Sequence, residues 1–243
     1  LALAIGLGHD IGHVPFGHPG EEWMAREMGR PFCHEVMGPV IAQRLERRGT
    51  GLNLCWETLD GMMRHSGNMA RPDMTPEAWI IRHVDKFAYI FHDFNDIVVR
   101  MDFPVKRELR TLVEKFGATQ RERTNTAMSA LLIESASTGK VVFEHSVWAH
   151  DFARLRTLMY EVYRAVSQQN VGDVMGPVLD FLKTLNAGDP FLILASMTDK
   201  DVRMMCDADC RNLDAFRRTS VYGLMPFLDQ IGSVDLCDPH LNW

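Results

Sequence analysis

Thirteen residues near the start of the sequence carry a high density of side chains that bind metals or transfer protons. The run His9–Glu21, HDIGHVPFGHPGE, contains three histidines and two carboxylates. Imidazole nitrogens and carboxylate oxygens together suit a divalent ion of the first transition row, or Mg²⁺ or Mn²⁺. Because Ile11, Val14 and Phe16 stand between them, an ordinary solvated surface does not explain the pattern. We therefore expect a metal or anion site here.

A second group of polar side chains is predicted on one face of a helix. The spacing i, i+4, i+7, i+8 and i+11 relates Asp85, Tyr89, His92, Asp93 and Asp96. The opposite face carries Val84, Phe87, Phe91, Phe94 and Val98. Such a stripe is often only a solvated helix face. The apolar pair Ile80 and Ile81 and the nearby aromatic residues favour instead a central helix whose polar side faces a cavity.

Most of the sequence has helical periodicity, broken by short segments rich in Gly, Pro and Asn. We predict an all-α fold with helices over Glu21–Met28, His34–Arg48, Glu57–His65, Pro76–Arg100, Thr119–Ser135, Ala149–Gln168, Val174–Leu185 and Pro190–Cys206. The short segment Lys140–Phe143 is the candidate for a strand. We expect one domain, with residues 1–206 as its body and residues 207–243 as a C-terminal helical extension.

The composition is that of an ordinary globular protein, with 46% apolar and 24% charged residues among 243. No run of about 18 apolar residues is present, so we expect no membrane association. Five cysteines without a C-x-x-C pair indicate a reducing, cytoplasmic compartment, and Cys206 and Cys210 are interpreted as inert thiols. The sequence starts at Leu1 rather than Met, so we expect an N-terminal part of the natural protein to precede it.

The net charge of −6 argues against broad binding to duplex nucleic acid, which requires a basic surface. A regulatory nucleic acid stays open as a partner, but the charge gives it no support. An anionic ligand would need a local group of basic side chains.

Together, these motifs resemble the HD-domain phosphohydrolases, and among them the deoxynucleoside triphosphate triphosphohydrolases of the dGTPase-like family. His9–Glu21 matches the family motif H-D-I-G-H-x-P-F-G-H-x-G-E. Residues 51–67, from GLNLCWE to HSG, and residues 85–93, DKFAYIFHD, match two further family segments. The resemblance implies an all-helical HD-domain fold and hydrolysis of dGTP or other dNTPs to deoxynucleoside and triphosphate. It also implies a homo-oligomer.

The resemblance implies a divalent metal as cofactor, held by the doublet His9 and Asp10 and by Asp85. A further histidine ligand stands upstream of the doublet in the family. This sequence starts too late to contain it, so either the missing segment supplies it or the metal site is defective. Mn, Mg, Fe, Co and Zn all stay open, because histidine and carboxylate sites accept each according to geometry and supply.

The resemblance assigns His18 as the catalytic histidine, with Glu21 placed to orient its imidazole and raise its basicity. The residues that it assigns to substrate binding are His13, His34, Lys86, Tyr89, Asp93, Arg156 and Tyr160. Among these, Lys86 is expected to contact phosphate, Tyr89 to fill the space next to C2′ of the sugar, and Asp93 to accept the 3′-OH.

Two other functions stay open. The chain could be an HD phosphohydrolase acting on another nucleotide, or a non-catalytic, nucleotide-binding regulatory HD domain. The absence of the upstream histidine favours the regulatory domain, whereas His18, Glu21, Lys86 and Asp93 oppose it. The remaining histidines are interpreted as ordinary surface or hydrogen-bonded residues, namely His65, His83, His145, His150 and His240. His92 is interpreted either as a ligand or as a support for Asp93.

Overall fold

The computed structural model of the chain describes residues 1–166, 171–229, 231, 232 and 235. Within these residues the regular elements are helices and none is a strand, which confirms the all-α fold. Cys237, His240, the last two residues of the helix predicted over Ala149–Gln168 and the end of the predicted extension at 207–243 lie outside the described residues.

The chain divides into two compact units. The first unit consists of Leu3–Met69 and the described part of Gln169–Trp243, and the second unit consists of the described part of Ala70–Gln168. The site residues predicted before position 70 therefore belong to the first unit. Those predicted between positions 85 and 160 belong to the second.

The first unit begins with five helical segments that carry the histidine-rich run and the HSG segment. They are α1 (Ala2–Gly8), α2 (Gly17–Met28), α3 (His34–Val40), α4 (Glu46–Gly49) and α5 (Trp56–Arg64). A π-helical turn, Ile41–Leu45, continues α3 after Pro39, which lacks the N–H that a regular helix would use. Arg47 and Arg48 have left-handed backbones, so the predicted single helix His34–Arg48 is interrupted.

The second unit is built from four longer helices. They are α6 (Pro76–Asp93), which continues as a π-helical segment over Phe94–Arg100, α7 (Arg107–Phe116), α8 (Gln120–Thr138) and α9 (Val147–Val166). Thr75 caps α6 by accepting a hydrogen bond from the backbone of Ala78, and Pro76 occupies the first helical position. The sequence analysis missed α7, whose apolar residues Leu109, Leu112, Val113 and Phe116 are all buried.

The C-terminal part of the first unit contains shorter helices. They are α10 (Gly172–Thr184), α11 (Pro190–Ala195), α12 (Asp199–Asp207), α13 (Leu213–Phe216) and α14 (Met225–Leu228), with a 3₁₀ turn at Val221–Leu224. The single helix predicted over Pro190–Cys206 is wrong. Thr198 and Asp201 form a reciprocal capping box that starts α12 as a separate helix.

Each unit has its own apolar core. In the first unit, side chains of α2 and α3 pack with those of α10–α14, and Met24, Met37, Val178 and Leu194 are fully or almost fully buried. In the second unit, α6–α9 bury a group of aromatic rings. Phe87 and Phe152 meet edge to face with ring centroids 4.8 Å apart. The apolar face predicted for the helix at 84–98 is thus the core face of α6.

Glu134 on α8 holds the loop that leads into α9. Its carboxylate accepts hydrogen bonds from the backbone N–H groups of Glu144 and His145, at 2.7 Å each, and of Ser146, at 3.1 Å. These contacts fix the segment around Lys140–Phe143 as a loop, so the predicted strand is wrong. Burial alone would raise the pKa of Glu134, but the hydrogen bonds outweigh it and lower the pKa to about 2.

Replacing Glu134 by glutamine is expected to lower the free energy of unfolding at pH 7 by about 2 kcal/mol, because backbone donors lose a charged acceptor. Since the folded pKa lies below the unfolded one, the stabilisation is complete above about pH 4.5 and is lost as the pH falls toward 2. Urea denaturation of the variant and the unaltered chain at pH 7 and pH 3 measures this difference in the free energy of unfolding. Glu144→Gln is the control, since only its backbone takes part; equal stabilities of the two variants would contradict the assignment.

Candidate metal and phosphate site

The HD doublet lies in the turn that follows α1. His9 Nδ1 is 2.8 Å from the carbonyl oxygen of Gly6. Since a carbonyl only accepts, Nδ1 carries the hydrogen and the neutral ring keeps its lone pair on Nε2. That Nε2 is 3.1 Å from Oδ2 of Asp10. The backbone thus sets His9 in the tautomer that a metal ligand requires.

Gly12 lets this turn approach α3 closely. A Cβ atom at this position would lie 2.1 Å from the carbonyl oxygen of His34 and 2.4 Å from the amide nitrogen of Gly38. No other residue fits there without displacing backbone. The close approach puts the His13 and His34 rings in a stacked arrangement, with centroids 3.8 Å apart.

The entry into α2 positions Glu21. Phe16 and Gly17 both have left-handed backbones, with φ of 67° and 56°. The Phe16 amide donates to Oδ1 of Asp199 at 2.8 Å, which fixes the turn. The first turns of α2 then direct the buried Glu21 carboxylate back toward the histidines of the HD turn and of α3.

Glu21 is the centre of a group of three histidines. Its carboxylate lies 2.5 Å from His13 Nδ1, 3.1 Å from His34 Nδ1 and 3.7 Å from His18 Nδ1. Burial would raise the pKa of Glu21, but the contacts with His13, His18 and His34 hold it far below its usual range. The carboxylate predicted to orient His18 therefore contacts His13 and His34 at shorter range.

His13 and His18 differ in exposure. Burial lowers the pKa of His13, but hydrogen bonds to Asp10 and Glu21 outweigh it and raise the pKa to about 9. The contact with Glu21 also raises the pKa of His18, whose side chain is 72% exposed. His18 is thus the member of the group that a substrate can reach. Its Nδ1 faces Glu21, which leaves Nε2 as the atom for proton transfer.

Asp10 is surrounded by imidazole nitrogens. Its carboxylate lies 3.1 Å from His9 Nε2, 3.3 Å from His65 Nε2 and 3.5 Å from His13 Nε2. Burial opposes ionisation, but these three contacts hold the pKa of Asp10 far below its usual range. Half of the side chain stays exposed. A carboxylate that is ionised, partly accessible and flanked by histidines fits a divalent metal ion of the first transition row.

Two groups of potential metal ligands lie within the first unit. In each group the candidate ligand atoms all lie within 4.8 Å of one another. One group consists of His13, His18, Glu21 and His34, and the other of Asp10, His34 and His65. The structure therefore contains His, Asp and Glu side chains arranged so that they could hold a metal ion.

Sequence analysis did not place His65 in the site. It follows α5, is 1% exposed, and lies with Nδ1 2.6 Å from the carbonyl oxygen of Met62. The adjacent Ser66 donates to Oε1 of the buried Glu35 at 2.5 Å, which ties the HSG segment to α3. The HSG match was a signal that could have identified His65, because its Ser and His both contact residues of α3.

In the second unit, α6 and α9 bring basic residues and tyrosines together. Lys86 is half-buried and donates from Nζ to the carbonyl oxygen of Arg82 at 2.6 Å. Burial, assisted by the charges of Arg82 and Arg156, lowers the pKa of Lys86 to about 7. The Arg156 guanidinium lies over the Tyr160 ring, 5.7 Å from its centroid. Such a cationic group suits an anionic ligand.

Tyr89 and Asp93, one helical turn apart on α6, face the tyrosines of α9. The Tyr89 and Tyr160 hydroxyl oxygens are 3.3 Å apart. The Tyr163 hydroxyl donates to Oδ2 of Asp93 at 2.8 Å. Burial raises the pKa of Asp93 although the bond from Tyr163 opposes it. Tyr163 is a further polar residue of this group that the sequence analysis did not single out.

Two other residues of the predicted polar stripe lie apart from these tyrosine contacts. His92 is exposed, and its Nε2 is 3.3 Å from Oδ2 of Asp96 one turn further along. Asp96 also accepts from Arg100 at 2.7 Å. His92 thus contacts Asp96 on the same helix. Asp85 is half-buried on α6, one turn before Tyr89.

Comparisons with known proteins agree with the HD motif at His9–Glu21. Residues 1–90 match the HD domain family. The chain is 38% identical over 133 residues to a deoxyguanosinetriphosphate triphosphohydrolase-like protein of Clostridium perfringens strain SM101, which covers 52% of this chain and 37% of that protein. A protein of the same description from Desulfatibacillum aliphaticivorans is 34% identical over 177 residues, covering 68% and 50%.

A third such protein, from Caldanaerobacter subterraneus subsp. tengcongensis, is 32% identical over 161 residues, covering 66% of this chain and 47% of that protein. This chain thus spans half or less of the length of these curated relatives. Among the described residues, no helix is long and apolar enough to cross a bilayer.

Proposed function

We propose that this chain, which belongs to the HD-domain family and is related to the dGTPase-like proteins, hydrolyses deoxynucleoside triphosphates to deoxynucleoside and triphosphate with a divalent metal as cofactor. The observation that carries the proposal is the position of Glu21 among His13, His18 and His34. A site that only bound a metal would not require this carboxylate and an exposed histidine beside it.

His18 is the proton donor in this proposal. Glu21 faces Nδ1 and favours the charged imidazole, so Nε2 can give its proton to the 5′ oxygen of the deoxynucleoside. Water attacks the α-phosphorus, the bond between that phosphorus and O5′ breaks, and triphosphate and deoxynucleoside are released. The proton that the attacking water loses passes to solvent, from which His18 regains the one it donated. His13, also charged at neutral pH because its pKa is about 9, adds a positive charge near the phosphates.

The metal would be held by His9, Asp10 and Asp85, as the resemblance implies. When bound, a divalent cation supplies Lewis-acid polarisation of a phosphoryl oxygen and orients the attacking water. The backbone contact at His9 and the ionised carboxylate of Asp10 suit this role. The resemblance assigns His34 to contact with the phosphates of the substrate.

The resemblance also assigns nucleotide binding to residues of the second unit. Lys86 and Arg156 carry the positive charge for the triphosphate, and a bound polyphosphate would favour the charged form of Lys86. Asp93 would accept the 3′-OH of the sugar. Tyr89, held against Tyr160, would occupy the space next to C2′ and exclude a ribose hydroxyl by its bulk. Assembly into a homo-oligomer is part of the same proposal.

Tyr89→Ala is expected to relax the preference for dGTP over GTP by about tenfold or more, because the ring that excludes the 2′-OH is removed. The ratio of kcat/KM for the two nucleotides measures it. Tyr222→Ala, at a 43% exposed tyrosine of the first unit, is the control and should leave the ratio unchanged. An unchanged ratio in Tyr89→Ala would contradict the proposal that Tyr89 excludes the 2′-OH.

The reaction is tested by incubating the chain with each dNTP and Mn²⁺ or Mg²⁺. Anion-exchange chromatography separates the products. Triphosphate together with deoxynucleoside would support the proposal and give the base preference. Stepwise loss of single phosphates would indicate an HD phosphohydrolase of another specificity. Nucleotide binding without turnover would indicate the regulatory domain.

A further inference from the structure

We propose that Asp199, at the start of α12, is a positioning residue that holds the turn before His18 and so presents this histidine to the substrate. The proposal rests on the proposed function, in which His18 donates the proton to O5′. Asp199 contacts Phe16, which lies 183 positions away in the chain. Both residues belong to the first unit, so the contact lies within one compact part of the chain.

The turn before His18 has a backbone conformation that its residues do not favour on their own. Phe16 and Gly17 are both left-handed, with φ of 67° and 56°. A phenylalanine has no polar side-chain group that could stabilise this conformation locally, so the surroundings must impose it. The turn also lies directly against α2, since a Cβ atom at Gly20 would be 1.9 Å from the carbonyl oxygen of Pro15. A shift of the turn therefore moves His18, the second residue of α2.

Two side chains of α12 hold Phe16 in this conformation. The Phe16 N–H donates to Oδ1 of Asp199 at 2.8 Å. Arg203, one helical turn further along α12, places its guanidinium over the Phe16 ring, 5.2 Å from the ring centroid. One contact thus fixes the backbone of Phe16, and the other fixes its side chain. The hydrogen bond to Asp199 is the one that acts directly on the left-handed backbone.

The start of α12 is itself firmly held. Asp201, which is 5% exposed, accepts hydrogen bonds from the Thr198 N–H at 3.0 Å, the Thr198 hydroxyl at 2.9 Å and the Ser220 N–H at 3.0 Å. Burial would raise the pKa of Asp201, but the hydrogen bonds from Ser220 and Thr198 outweigh it and lower the pKa. Asp199 is the first residue of the helix that these bonds fix, so it holds the Phe16 turn from a rigid position.

The position of His18 depends on this turn more than on its own side-chain contacts. Its Nδ1 is 3.7 Å from the Glu21 carboxylate, whereas His13 and His34 lie 2.5 Å and 3.1 Å from the same group. The His18 side chain is also 72% exposed, so little packing restrains it. A displacement of a reacting group by about 1 Å can lower a rate by about 10²-fold. The backbone that Asp199 fixes therefore has a direct effect on kcat.

Steady-state kinetics of two variants test the proposal. Asp199→Ala is expected to lower kcat by about 10–100-fold while KM and metal content stay unchanged, because Asp199 contacts the turn rather than the metal or the substrate. Asp199→Asn keeps an oxygen that can accept from Phe16 and is expected to restore most of kcat. Asp214→Ala, at an exposed aspartate in the first turn of α13, is the control and should keep full kcat. An unchanged kcat in Asp199→Ala, or equal losses in both Asp199 variants, would overturn the proposal.

Amide hydrogen exchange followed by NMR gives a second test that needs no substrate. The Phe16 N–H is expected to be protected from exchange in the unaltered chain and in Asp199→Asn, and to lose this protection in Asp199→Ala, because its acceptor is removed. An unprotected Phe16 N–H in the unaltered chain would overturn the proposal without any variant being made. Absence of dNTP hydrolysis by the unaltered chain would overturn the proposed function, whereas the exchange measurement would still decide whether Asp199 holds the turn.

Discussion

Replacing His18 by alanine is expected to lower kcat for dNTP hydrolysis by about 10²–10⁴-fold while metal content stays unchanged. The magnitude is that of a lost proton donor at the leaving oxygen. Metal content stays because the His18 side chain is 72% exposed and the other groups of the site keep their contacts with Glu21 and Asp10. The exposure also means that the variant should fold normally.

Steady-state kinetics and metal analysis of the same preparation measure both parts of this expectation. His150→Ala, at an exposed histidine on α9, is the matched control and should keep full activity. Full activity in His18→Ala would remove His18 from the mechanism. Loss of metal together with activity would instead make His18 a ligand.

Replacing Asp10 by asparagine is expected to abolish metal binding and to lower kcat/KM by about 10³-fold or more. A bound cation would supply several kcal/mol of transition-state stabilisation, and a neutral amide cannot replace an ionised carboxylate as its ligand. The Asp10 carboxylate is held ionised by contacts with His9, His13 and His65. The variant keeps the shape of the side chain, so its fold should persist.

A thermal shift on adding Mn²⁺ provides a measurement that does not need a substrate. A metal that binds only the folded chain raises its Tm, so the rise should be present in the unaltered protein and absent from Asp10→Asn. Asp214→Asn, at an aspartate 83% exposed on α13, should keep the rise. An equal rise in Asp10→Asn would show that the metal is held elsewhere.

The sequence was sufficient for the fold class and for three helices of the second unit, α6, α8 and α9. Helical periodicity predicted a helix over Pro76–Arg100, and the structure has α6 over Pro76–Asp93 followed by a π-helical segment over Phe94–Arg100. The break between α11 and α12 was missed, although the Thr198 and Asp201 pair has the spacing of a capping box. The predicted helix His34–Arg48 is interrupted after Pro39 and again at Arg47 and Arg48. Local propensity does not predict the left-handed backbone of the two arginines.

The candidate site was only partly predictable for a different reason. The residues of the HD motif are adjacent in sequence, so their clustering follows from one turn and one helix. The contact between His34 and His65 joins residues 31 positions apart and depends on how α3 packs beside α5. Gly12 allows the HD turn to approach α3 closely. The requirement for glycine follows from the backbone atoms of α3 that a Cβ would meet, and the sequence does not show that contact.

The measurement that tests the central claim most directly is hydrolysis of a dNTP in water enriched in oxygen-18, followed by mass spectrometry of the products. Attack on the α-phosphorus with loss of O5′ places one solvent oxygen on the released triphosphate and none on the deoxynucleoside. That is the result we expect. Label in orthophosphate with deoxynucleoside diphosphate as the other product, or in deoxynucleoside monophosphate or pyrophosphate, would contradict the account.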